Sequence, residues 1–456
     1  MSPIRLEWVS EIVRDLVLLF FMVILISLAA RGVFSAYLLW GWAGLVAIQT
    51  FAYGFMQSIP YVQVFALLTL LLFLIKKDPG AVGFSPDSTS IWFFVFGVHA
   101  SLAAAFAYPE VYRNWELCGN LLKTLIYCLV MPLLVTNRYR IHVFMIVLAL
   151  SAGFHGILDG LKFIITAGGH ISRGNSKLGD NNHLAVLVAM VIPVLGYLYT
   201  YSAARVTRYL SLSALVINVI AVISTRSRAG LLTLFALALW YLLLSRHKVR
   251  GFVAIFAVVI GVFAVAPAEW TERMETIKSA NEDSSFMTRV MAWKRGSAIA
   301  VENPVFGGGF HSVQAPALFS QFKHKQGILG FIETGEATYP AAAHSIYFEV
   351  MGDMGFVGFF LFLIVLMLPF LHRRRILQLT RNRPDLMWAH DLANVLAACL
   401  IAYLVGGASI SAAYFELPYI LIMLMAVLRI HVTKECAIEA QPVGKMKMHR
   451  TPLPSH

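Results

Sequence analysis

Charge is scarce in this chain. Asp, Glu, Lys and Arg make up 13% of its 456 residues, against roughly 25% in a soluble domain. That shortage excludes a soluble globular protein, which could not cover its surface with so few polar groups. Cysteine is scarce too: Cys118, Cys128, Cys399 and Cys436 show neither metal-ligand nor redox spacing. Cys118 and Cys128 fall in one apolar run and read as core residues. Metal motifs are missing: there is no HExxH, no DxD pair and no cluster of carboxylates, so no metal and no cofactor are expected. A glycine run stands at Gly307-Gly308-Gly309, but without a P-loop lysine or a strand–turn–helix setting, which excludes a nucleotide site. It reads as a turn that lets neighbouring backbone approach closely. The first apolar run carries no small-residue cleavage site and reads as a span rather than a cleavable signal.

Long apolar runs are abundant. Hydrophobic residues are 59% of the chain, and runs near the ~20 residues needed to cross a bilayer recur along its length. The fold class is an all-α polytopic integral membrane protein, because barrel strands would alternate rather than run continuously apolar. The formal charge of +12 would suggest nucleic acid on a soluble protein. Here Lys and Arg sit in short loops between apolar runs, the positive-inside pattern, so membrane lipid and no nucleic acid is expected.

Taken in order, Met1–Arg14 reads as an interfacial amphipathic helix. Spans follow at Asp15–Ala30, Tyr61–Ile75, Ile91–Ala107, Leu117–Val135, Ile141–Ile165, Asn182–Tyr201, Tyr209–Ser224, Ala229–Ser245 and Phe252–Ala266. Three more lie at His344–Phe370, Leu392–Ile410 and Leu417–Ile430. Val33–Tyr53, with Gly41, Gly44 and Gly54, reads as re-entrant or interfacial, which gives about 12 spans, or as a full span, which gives 13. The predicted units are an N-terminal bundle over 1–267, a long outer loop with short amphipathic helices over 268–343, C-terminal spans over 344–431, and a disordered tail over 432–456. Lys76-Lys77, Arg138 with Arg140, Arg205 with Arg208, Arg246/Lys248/Arg250 and Arg373–Arg375 mark the cytoplasmic side, which puts the long loop outside.

Arginines that break this orientation rule call for a reason. Arg226 and Arg228 stand in a short outer turn, Ser224–Gly230, and Arg289, Lys294 and Arg295 in the long loop. A guanidinium fork suits phosphate oxygens, and a helix start favours an anion. A pyrophosphate clamp and snorkelling anchors are both open readings of the turn. Phe286, Val290 and Trp293 share a helical face beside Arg289, either in a cavity or on the membrane surface. His344, at the start of a span, is a candidate general base, with Glu349 and Asp353 further along and Gly352, Gly355 and Gly358 allowing close helix packing. Asn182 reads as a helix cap or a sugar or phosphate ligand, and His183 as a competing base. Asp159 and Lys162 could form a buried ion pair or belong to the site.

Four pieces in this order resemble the O-antigen ligase family. They are Asn182-His183-Leu184-Ala185, Ser227-Arg228-Ala229-Gly230, the loop Arg289…Trp293…Asn303-Pro304…Gly307-Gly308-Gly309, and His344-Ser345-x-Tyr347…Gly352…Gly355…Gly358. The N-terminal half resembles O-glycosylation ligases found beside exosortase systems. The resemblance implies a GT-C-like glycosyltransferase of the bacterial inner membrane that works without metal on the periplasmic face. It implies a glycan donor on undecaprenyl pyrophosphate and lipid A-core as acceptor. In that reading Arg228 and Arg289 hold the pyrophosphate, with Arg226 and Arg295 as further candidates. His344 takes the acceptor proton in an inverting displacement, and Asn182, His183, Ser345, Tyr347 and Trp293 support it. An O-antigen polymerase or a protein O-glycosylating ligase would use the same donor. A transporter would carry ionisable residues deep in several spans, whereas here they gather at one face.

Overall fold

The computed structural model describes residues 3–52, 54–83, 86–174, 179–244 and 284–439. The expected span Phe252–Ala266, the basic cluster Arg246/Lys248/Arg250, the first part of the long loop and the end of the tail lie outside these residues. Among the described residues every regular element is helical. In chain order they are α1 (Pro3–Ala29), α2 (Val33–Val46), α3 (Tyr61–Ile75), α4 (Ser88–Ala105), α5 (Asn114–Leu134), α6 (Arg138–Ile165), α7 (Asn181–Tyr201), α8 (Arg205–Ser224) and α9 (Arg228–Leu244). After them come α10 (Ser284–Glu302), α11 (Pro316–Phe322), α12 (Ile346–Thr380), α13 (Met387–Gly407) and α14 (Glu416–Glu439).

Eight helices among the described residues are long and apolar enough to cross a membrane: α4 to α8 and α12 to α14, the seventh counted with the short turn before α13. Helices α2, α3 and α9 are apolar but shorter. At 14 residues and a rise of about 1.5 Å each, α2 falls short of a bilayer core of about 30 Å. Left-handed Ala47 ends it, and two 3₁₀ turns lead on to α3. Two boundaries differ from the sequence reading. The expected break between an interfacial helix and a first span near Arg14 is absent, because nothing in that stretch stops a helix and α1 runs through it. The last helix continues to Glu439, into the expected tail.

Side-chain caps fix several helix starts. Asp87, Asn137 and Asp180 each accept from backbone N–H groups of α4, α6 and α7. Helix α14 is central and mostly buried, whereas α8 is peripheral and mostly exposed. Helix α7 packs on α6, α8, α9 and α13.

The starts of α5, α7, α9, α12 and α14 and the ends of α6, α8 and α13 share one end of the bundle with the loop. Asn114 at the start of α5 accepts from Phe310 N in the loop at 3.0 Å, and contacts described below join the others. Arg138, Arg140, Arg205, Arg208 and Arg373–Arg375 therefore stand at the opposite end, as the charge pattern predicts.

The loop grips α12 where that helix is broken. Gly355 has φ 68° and ψ −171°, a conformation essentially confined to glycine. Loop backbone satisfies the groups that the break frees. Gly308 N donates to Gly352 O at 2.8 Å, Gly309 N to Asp353 O at 2.9 Å, and Phe356 N to Pro304 O at 2.8 Å. The glycine run is thus a backbone clasp on a kinked helix. The three spaced glycines of α12 do different things: Gly352 lies against Gly296 of α10, Gly355 makes the break, and Gly358 lies against His99 of α4.

Candidate active site

Asp180 builds one side of the site. Its carboxylate accepts from the backbone N–H of Asn182 and of His183, so Asp180, not Asn182, caps α7. Burial opposes its ionisation, yet hydrogen bonds from the His183 ring and amide and from Asn182 hold its carboxyl well below the usual range. Asn182 Oδ1 instead accepts from Ser227 Oγ at 2.6 Å, and Asn181 Nδ2 donates to Thr225 O at 2.9 Å. These two bonds tie the start of α7 to the turn carrying Arg226 and Arg228.

Ser227 Oγ also accepts from Gly230 N at 3.1 Å and so caps α9. Arg228 becomes its first residue, exposed at a positive helix end. Arg226 sits half-buried in the turn with φ 51°.

His183 packs inward. Its Nδ1 meets Asp180 Oδ1 at 2.8 Å and its Nε2 meets the Ser411 carbonyl at 2.8 Å. Both ring nitrogens are thus engaged by protein oxygens, which leaves neither turned to a substrate.

His344 is the contrasting case. Its Nδ1 is buried and has no hydrogen-bond partner among the described residues. Its backbone is left-handed, φ 45°, a strained state for a non-glycine that persists only when its surroundings enforce it. Ser411 Oγ accepts from His344 N at 2.8 Å, and Ala343 O accepts from Trp293 Nε1 at 2.7 Å. One serine thus holds both histidines, through its carbonyl and its hydroxyl. Burial lowers the His344 pKa. Arg289 lowers it further, Asp180 raises it and His183 lowers it. The net direction is below the ordinary ~6.5, so the ring is neutral near neutral pH.

Arg289 is half-buried on α10 and within electrostatic reach of His344. The apolar face of α10 turns toward α12 rather than onto a membrane surface. Trp293 stacks on Phe348 with ring centroids 5.1 Å apart, and Phe286 meets Trp293 edge-on.

Arg295 lies elsewhere. It is 2% exposed, its Nε donates to Val313 O and its Nη2 to Ala341 O, both at 2.6 Å. Burial brings its pKa down to about 10. Lys294 is similarly engaged with Gln326, Ile332 and Thr334.

Ser345 is buried at the cap of α12, and Tyr347 OH donates to Leu404 O at 2.9 Å, fixing α12 to α13. Glu349 accepts from Ala413 N, and Asp353 from Ser312 and Tyr414, so both carboxylates hold loops. Asp159 pairs with His170 at 2.9 Å rather than with Lys162. Cys118, Cys128 and Cys399 are buried free thiols.

The structure therefore brings together His344, His183, Asn182, the Arg226–Arg228 turn and, electrostatically, Arg289. It sets Arg295 apart. Ser411 was not singled out from the sequence, and Asp180 was given no role there. Both act through partners far away in the chain, which no local pattern announces.

Residues 213–363 match the family described as O-antigen ligase. Residues 13–203 match a family of unknown function (DUF5935). The first match spans Arg226, Arg228, Arg289 and His344, while Asn182 and His183 fall in the second. No curated protein matches the chain.

Proposed function

From the match of residues 213–363 to the O-antigen ligase family, we propose that this chain is a glycosyltransferase of the bacterial inner membrane. It moves a glycan from undecaprenyl pyrophosphate to a sugar hydroxyl of lipid A-core, and the loop end of its bundle faces the periplasm. The observation that carries this reading is the buried, unpartnered Nδ1 of His344. Such an atom calls for a partner, and an acceptor hydroxyl is the partner this chemistry supplies.

The acceptor oxygen attacks the anomeric carbon. A carbon–oxygen bond forms as the bond to the pyrophosphate breaks, the electron pair leaves with the lipid pyrophosphate, and His344 takes the hydroxyl proton. The configuration inverts. Arg228, Arg226 and Arg289 hold the pyrophosphate and stabilise the charge that grows on it, the larger catalytic contribution. A general base supplies roughly 10²–10⁴-fold. The guanidinium groups do what a metal would otherwise do, so the reaction needs none. Arg295, engaged by carbonyls inside the loop, is assigned to shaping that loop. Asn182, Trp293, Ser345 and Tyr347 hold the pieces in register, and His183 anchors Ser411.

The test is a transfer assay with purified protein, labelled lipid-linked glycan and lipid A-core. Label should move to lipid A-core and should do so equally with a chelator present. Label that only lengthens lipid-linked chains, or that moves only to protein, would overturn the ligase assignment. Inhibition by the chelator would contradict the metal-free reaction.

A further inference from the structure

A cavity of about 560 Å³ opens beside His183 and Ser411, within the ~300–1,000 Å³ usual for a small-ligand site. The chemistry above makes no use of it. Its wall mixes aromatic surface from Trp40, side-chain amides from Gln49, Gln63 and Asn120, the amino group of Lys123, and the carboxyl groups of Glu349 and Glu416. Amides and carboxylates pair with sugar hydroxyls, which donate and accept at once, while an aromatic face covers the apolar side of a sugar ring. Lys123 and His311 also line it, but no arginine does among the described residues, so it lacks the guanidinium forks that suit a pyrophosphate.

Position points the same way. His183 and Ser411 also line the cavity, and Ser411 is the residue that holds His344 N at 2.8 Å. A sugar seated here touches Ser411, the residue that fixes the His344 backbone. Helices α2, α3 and α5 and the turns between them supply much of the wall, and they lie within the stretch 13–203 whose family has no known function.

We propose that this cavity is the subsite for the acceptor's neutral sugar, and that the N-terminal region selects the acceptor there. The proposal rests on the transferase reading and adds to it which substrate the cavity takes.

Gly44 provides the test, because it lines the cavity and a β-carbon on it would meet nothing within 4 Å. Gly44→Leu fills this space with a residue that favours helix more than glycine does. Full-length Gly44→Leu, and the milder double variant Gln49→Ala with Gln63→Ala, are assayed with each substrate varied in turn. The KM for lipid A-core should rise by about tenfold or more, while the KM for the lipid-linked glycan stays within about twofold. A rise for the donor alone, or no change for either, would overturn the assignment.

Direct binding of delipidated core oligosaccharide, followed by saturation-transfer NMR with no donor present, separates this proposal from the transferase reading. Binding to the wild type that is lost in Gly44→Leu supports the subsite whatever the transfer assay gives. Equal binding by both proteins, or no binding by the wild type, sinks it.

Discussion

At the scale of single residues, the site turns on two histidines made unlike by their neighbours. His183 spends both ring nitrogens on Asp180 and Ser411, whereas His344 keeps a buried nitrogen unpartnered among the described residues. In the proposed reaction it is the second that takes the proton from a bound hydroxyl. Because burial and Arg289 lower the His344 pKa, the active neutral ring persists below the ordinary histidine value. Transfer should fall only as pH drops through that lowered pKa. Arg289→Gln removes a positive neighbour, so the acidic limb of kcat/KM against pH should move upward, while Arg289→Lys should leave it nearly in place. An unmoved or lowered limb in Arg289→Gln would contradict the placement of this arginine. Ser411→Ala removes the acceptor for His344 N and should lower kcat about tenfold or more, the worth of one hydrogen bond near 1 kcal/mol together with lost orientation. Ser411→Thr should recover much of that loss, and steady-state assays of the three proteins read it.

At the scale of elements, the central feature is the break in α12 and the loop clasped on it. Gly355→Ala would force an alanine into a glycine-only conformation, of order 1–3 kcal/mol, with its β-carbon 2.6 Å from Pro304 O. Thermal unfolding in detergent should show a clear drop in Tm. Gly119→Ala in α5, where a β-carbon meets nothing within 4 Å, should show none. Part of this was legible in the sequence. The glycines at spacing three announced close approach, and the run at Gly307–Gly309 without a lysine announced a turn rather than a phosphate cradle. That the two features meet was not legible, because the contact joins segments some fifty residues apart in the chain. The same limit hid Ser411. The apolar face of α10 was read correctly, but its destination, Phe348 of α12 rather than lipid, depends on tertiary packing.

At the scale of the whole molecule, apolar run length and Lys/Arg placement announced the helical bundle and its two unlike ends. Helix boundaries were less legible. Nothing local marks where α1 meets lipid, and α2, α3 and α9 are too short for length alone to say whether they cross. The two matched regions join in the site: Asn182, from 13–203, accepts a hydrogen bond from Ser227, from 213–363, at 2.6 Å. Residues 13–203 thus help hold the turn that carries Arg226 and Arg228, besides walling the cavity beside Ser411. The central claim is that this assembled end runs a direct displacement in which His344 takes the acceptor proton while the arginines hold the donor. The most direct measurement is single-turnover transfer by purified His344→Ala, alongside its affinity for the lipid-linked donor. The account predicts transfer reduced by roughly 10²–10⁴-fold with donor affinity close to wild type. Transfer at the wild-type rate would contradict it.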